Sequence, residues 1–153
     1  MKKKAIIGIA LGVIMLTSAI GAISLKTDIS KTKDIEKKRE QKLDIIDRAS
    51  VSWQQGIIGN GQFIAVIDQS IIDTDALREE YLSLNLPPKY DKYKSLSIDS
   101  LNQQKEAFLK LKEYVQTDDP KLQQSIRTEF DQLMIKAFEY RRDALKELGT
   151  IQS

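Results

Sequence analysis

Cysteine and histidine are both absent from this 153-residue chain. Without cysteine there is no disulfide framework, no thiolate nucleophile and no thiolate-ligated zinc or iron–sulfur site. Without histidine there is no imidazole acid–base group, no Ser-His-Asp or Cys-His pair, and no imidazole metal ligand. A strong charge of one sign is missing as well, since 24 Lys and Arg face 22 Asp and Glu, for a formal charge of +2. No repeat at a solenoid period is present either. The length fits one domain.

One long apolar run is present. Met1-Lys2-Lys3-Lys4 leads into a charge-free segment from Ala5 to Leu25, with Thr17, Ser18 and Ser24 as its only polar side chains. At about 1.5 Å per residue such a segment spans about 30 Å as a helix, the thickness of a bilayer core. The three lysines predict a cytoplasmic N-terminus, with everything after Lys26 outside. The expectation is a single-pass cell-membrane protein with its bulk extracytoplasmic and the membrane as a partner through residues 5–25. Ala19-x-Gly21 and Ile20-x-Ala22 also offer signal-peptidase spacing, and cleavage there would make the protein secreted. The length of the run favours the uncleaved anchor.

The basic excess lies entirely at this end. Setting aside Lys2, Lys3 and Lys4 leaves 21 basic against 22 acidic residues, and the remaining charges are interleaved, as in Lys33-Asp34-Ile35-Glu36-Lys37-Lys38-Arg39-Glu40. Nucleic-acid binding requires a concentrated basic footprint, so a nucleic-acid partner is not expected.

The rest reads as helix. Residues 26–42 are rich in charge, with Ile35 the one apolar residue of the stretch from Asp34 to Lys42, and predict a solvated stalk. Leu43, Ile46, Ser50, Trp53 and Ile57 then recur every three or four residues and make one helical stripe. Residues 56–67 (GIIGNGQFIAVI) fit either a helix interrupted around Gly56, Gly59 and Gly61 or a β-hairpin turning at Asn60-Gly61, and the continuing spacing of three and four favours the helix. Ser70, Asp73 and Asp75 offer cap oxygens for a short helix ending near Leu84, before Pro87-Pro88. A third helix runs from about Lys92 to Val115. Thr117-Asp118-Asp119-Pro120 begins a fourth, carrying Leu122, Ile126, Phe130, Leu133, Ala137, Tyr140, Ala144 and Leu148 to a stop at Gly149. The predicted fold is all-α: an N-terminal transmembrane or signal helix, then an antiparallel bundle of three to four helices over residues 43–149.

This order, with Leu84-Asn85-Leu86-Pro87-Pro88-Lys89-Tyr90 at one corner and Asp118-Asp119-Pro120 at the other, resembles exported or membrane-anchored helical-bundle proteins of Gram-positive bacteria that are themselves uncharacterised. The resemblance is one of layout across the whole chain. It implies the fold and compartment already expected and carries no activity.

Chemistry-bearing constellations are sparse. Asp73-x-Asp75 with Glu79 and Glu80 is the densest carboxylate cluster, but Arg78 stands where a calcium loop of EF-hand type needs glycine, and helix capping accounts for both aspartates. Asp118-Asp119 reads as a helix cap. Ser30-x-x-Lys33 matches a nucleophile pattern formally but lacks the other elements of that enzyme class. No catalytic residue, metal ligand or cofactor is therefore expected. Trp53, the single tryptophan, reads first as a core residue, while Trp53 with Phe63, Tyr81, Tyr90 and Tyr93 is the expected partner or ligand surface. The function expected is non-catalytic, in protein interaction or the cell envelope, with a ligand-, peptide- or cation-binding module as the alternative. The residues name no protein partner and specify no homo-oligomer.

Overall fold

The computed structural model describes residues 28–152. They form four helices, α1 (Asp28–Gln54), α2 (Asn60–Ser83), α3 (Asp91–Gln116) and α4 (Pro120–Gln152), with a single 3-10 turn over Pro88–Tyr90. No strand occurs among the described residues. Each neighbouring pair is antiparallel, as the ion pairs show: Lys38–Glu80 and Lys42–Asp73 join α1 to α2, Asp68–Lys112 and Asp75–Lys105 join α2 to α3, and Lys92–Glu147 and Lys110–Glu129 join α3 to α4. In every pair one residue number rises as its partner's falls. α1 and α4 close the bundle differently. No Cα of one lies within 8 Å of the other, and Arg141 spans the gap to Glu36 and Glu40.

Residues 56–67 resolve as an interrupted helix. The chain leaves α1 through a C-terminal motif in which Gly56 N–H donates to Trp53 O at 3.0 Å and Ile57 N–H to Ser52 O at 2.8 Å. This pairing requires the left-handed conformation at Gly56, whose φ is +74°, and glycine adopts it without a Cβ penalty. Gly59 then caps α2 in extended conformation, its N–H accepted by Gln62 Oε1 at 3.0 Å. The Asn60-Gly61 hairpin does not form, because both residues lie inside the first turn of α2.

Other boundaries differ from expectation for definable reasons. α2 is one continuous helix through Ser70–Asp75, so neither aspartate caps it: Asp73 faces Lys42 and Asp75 faces Lys105. α4 passes through Gly149 to Gln152, since glycine stops a helix only where it turns left-handed, and Gly149 does not. The start of α4 is as predicted, with Asp119 Oδ1 accepting Lys121 N–H at 2.9 Å and proline first in the helix.

The solvated stalk expected over 26–42 is, from Ile29 on, a packed part of α1, with Thr32, Ile35 and Arg39 buried. The expected single-pass localisation requires correction too. Among the described residues no helix is long and apolar enough to cross a membrane, because each carries ion-paired side chains along its length. That finding stands against the single-pass localisation; the 5–25 segment lies outside the described residues.

The interior has two apolar clusters. One gathers Trp53, Phe63, Ile67, Leu111, Val115, Ile126 and Phe130 at the end holding the α1–α2 and α3–α4 turns. The other gathers Ile35, Leu77, Tyr81, Tyr90, Tyr93, Leu101 and Leu148 towards the opposite end. Between them lies a polar layer of Arg39, Thr74, Ser100 and Gln104, all buried.

Candidate functional site: the turn end and the buried polar layer

The five aromatic residues expected to form one surface are all buried, none more than 6% exposed, and they divide between the clusters. Trp53 stacks on Phe63 with ring centroids 5.0 Å apart and meets Tyr114 edge-on at 6.3 Å. Its indole N–H donates to Asn60 Oδ1 at 2.8 Å, and Asn60 Nδ2 donates to Val115 O at 3.4 Å. Tyr81 and Tyr93 meet edge-on at 6.1 Å with their hydroxyls 3.0 Å apart. Tyr90 packs beside them, below the proline corner. The structure therefore brings together Trp53 with Phe63, and separately Tyr81 with Tyr90 and Tyr93. All five face the interior.

The tyrosine pair belongs to a charged network. Glu36 accepts from Tyr81 Oη at 2.7 Å and from Arg141 Nε at 2.8 Å. One turn along α1, Arg39 donates from Nε to Gln104 Oε1 at 2.9 Å and from Nη2 to Ser100 Oγ at 2.7 Å, while Gln104 Nε2 donates to Thr74 Oγ1 at 3.1 Å. Arg39 Nη1 has no hydrogen-bond partner among the described residues. Burial drives the Arg39 guanidinium down to about 10 against the opposing pull of Glu36. Burial pushes the Glu36 carboxyl up, but Arg39, Arg141 and the bond from Tyr81 together outweigh it and hold the group below its ordinary value. Burial and the adjacent Glu36 carboxylate also push the Tyr81 phenol far up. It stays protonated in the physiological range and is 0% exposed, so Tyr81 bonds α2 to α1 and is not reachable as an acid or base.

The carboxylate cluster of α2 is dispersed as well. Asp73, Asp75, Glu79 and Glu80 pair with Lys42, Lys105, Arg78 and Lys38 respectively. Among the described residues no three acidic groups converge as metal ligands would. An open groove of about 530 Å³ between α1 and the end of α2 is lined by Lys31, Asp34, Lys38, Gln41, Glu80 and Leu84 and contains none of the five aromatic residues.

The surface that stands out is the turn directly over Trp53. From Ala49 to Ile67 the sequence has no charged residue, the longest such run after Leu25 in a chain of which 30% is charged. Ile57 is 69% exposed and Val51 45%, and Gln55, Gly56, Gly59, Asn60, Gly61, Gln62 and Ala65 are also exposed. The residue at the Ile57 position of this C-terminal motif commonly folds back to cover the last helical turn. Here it faces outward. Gly59 and Gly61 have ordinary φ, and a Cβ on either would meet nothing within 4 Å, so the fold itself does not require glycine at these positions. The uncharged run was readable in the sequence; the outward turn of Ile57 and the open space above the glycines were not.

Comparison of the chain with protein-family models, with curated proteins and with solved structures finds no match.

Proposed function

We propose that this protein is a non-catalytic interaction module, a helical bundle that binds another protein through the uncharged α1–α2 turn. The exposed Ile57 on a charge-free, glycine-flanked turn carries this reading. Interface centres are depleted in charge relative to the rest of a surface, and they take apolar side chains that the unbound fold leaves in water. Glycines with open space above them let a partner's backbone approach closely. The rigid aromatic layer of Trp53, Phe63 and Tyr114, tied by Asn60 to α1 and α3, supports the turn from below.

The ligand-binding alternative centred on Trp53 has less support. The indole face is covered by Phe63 and its N–H is satisfied by Asn60, so a ligand there would have to displace both.

The test is a photo-crosslinking residue placed at Ile57 and, separately, at Ile135, which is 56% exposed on α4. A protein adduct specific to Ile57 in the native cell is the expected result. Equal labelling at both positions, or none at Ile57, would remove the turn as an interface.

A further inference from the structure

We infer that the partner received by the α1–α2 turn is a second copy of this chain, packed end to end about a two-fold axis. The inference rests on the reading of the turn as an interface and adds the identity of the occupant. In a two-fold contact each patch meets itself, so the patch must be complementary to its own image. A patch of one charge sign fails that requirement, because every group near the axis meets a like charge. The run from Ala49 to Ile67 has no charge to repel.

Its exposed groups are also self-matching. Ile57 and Val51 supply apolar area that gains by meeting more apolar area. Gln55 has a primary amide, both donor and acceptor, which pairs with its own kind, and Gln62, whose Oε1 accepts Gly59 N–H, keeps its amide N–H groups for donation.

The neighbouring turn meets the same requirement in a different way. Asp118, Asp119 and Lys121, all exposed, lie between α3 and α4 at the same end of the bundle. A turn with both signs can set its lysine against the aspartates of its image. Exposed Leu122, next in sequence, extends the apolar area. The contact is confined to two turns and the residues beside them, so the dimer is expected to be weak and dependent on concentration.

Because the chain lacks cysteine, a single introduced thiol reports on one place only. The full chain bearing Ile57→Cys is oxidised in parallel with the full chain bearing Ile72→Cys. Ile72 is 60% exposed on the flank of α2 and serves as the matched control. Association that favours neither position leaves the two rates equal, and association through the flank of α2 favours Ile72.

The inference expects disulfide-linked dimer to form at least about tenfold faster at Ile57 than at Ile72, the ratio set by a modest contact preference. Adding Ile57→Lys to a chain bearing Gln55→Cys places two like charges near the axis and should lower the rate at Gln55 by about the same factor. Equal rates at Ile57 and Ile72 overturn the second-copy inference. Photo-crosslinking from Ile57 in the native cell separates the two claims. An adduct of twice the chain mass supports both, an adduct with a different protein overturns the second copy while keeping the turn as an interface, and no adduct overturns both.

Discussion

The two ends of this bundle are held together by different physics. Around Trp53 the core is dry: aromatic and aliphatic side chains of all four helices stack and interdigitate, and the single indole N–H has its partner. Around Tyr81 the same four helices enclose Glu36, Tyr93 and Arg141, with Arg39 and its amide and hydroxyl partners at the boundary. Apolar burial stabilises without direction, so the dry half accepts many arrangements of similar volume. The polar half is satisfied in a single register, because sliding α1 by one turn would remove Arg39 from Ser100 and Gln104 together. Both halves bury apolar side chains, and the polar half in addition ties α1 to α2, α3 and α4 through directional bonds.

Large truncations test that division most severely. Trp53→Ala should cost about 3–5 kcal/mol, through lost burial and a cavity beside Phe63, read as a fall in the urea midpoint. Arg39→Ala should cost a similar amount for another reason, leaving Glu36 with one cation fewer and Gln104 Oε1 and Ser100 Oγ without their donor. Arg39→Met separates the two causes. It refills the volume with an apolar chain and should recover at least about 1 kcal/mol of the loss. Recovery of stability accompanied by broadened amide spectra over α1 would show that the charge specifies register. No recovery would show that the charge itself stabilises, and the proposed contrast would fail.

Acid should act on one half before the other. The folded Glu36 carboxyl is held below its ordinary value of 4.5. The native state therefore binds this proton less readily than the unfolded chain does. Its contribution to stability is complete above the unfolded value and is lost as pH falls through the folded one. Below pH 4.5, the protection of α1 amides near Glu36 from hydrogen exchange, measured against the intrinsic rate at each pH, should fall before Trp53 fluorescence changes, and Glu36→Gln should flatten that dependence. Simultaneous change at both reporters would make the bundle one cooperative unit.

The smallest effects concern the turn. Gly61→Ala meets no neighbour and replaces a helical glycine, so it should raise stability by about 0.5–1 kcal/mol while weakening the proposed contact by bringing a methyl group between the backbones. Ile57→Lys should leave the denaturation midpoint within about 0.5 kcal/mol and abolish crosslinking at the turn. A large loss of stability from either substitution would mean that the turn belongs to the core.

Much of this fold is written in the sequence in plain form. The stripe Leu43, Ile46, Ser50, Trp53, Ile57 marks the buried face of α1 as far as Trp53, while Ile57 lies beyond the helix and is exposed, and Asp119-Pro120 marks the start of α4, because apolar spacing and cap chemistry are local. Arg39 shows where local reading ends. Thr32, Ile35 and Arg39 continue the spacing of three and four without a break, yet a charged side chain on a stripe looks like solvent exposure unless its partners are known. Those partners, Ser100 and Gln104, lie more than sixty residues away on α3. The five aromatics of the expected surface are all buried, and which of them meet depends on the packing of α2 against α3. The turn was marked by its missing charge, a signal visible in the sequence only when charge is counted along the chain and not averaged over it.

Asn60 has a consequence that extends beyond the fold. By accepting from Trp53 and donating to Val115 it fastens the start of α2 to α1 and α3 at once, leaving the few residues between Gln54 and Asn60 little room to rearrange. A mobile loop would lose conformational freedom on meeting a partner, and that loss would be subtracted from whatever the contact gains. Here the bonds of Asn60 and the closing turn at Gly56 leave less of that loss to be taken at an encounter. A small uncharged contact of the proposed kind can then be selective and still release quickly.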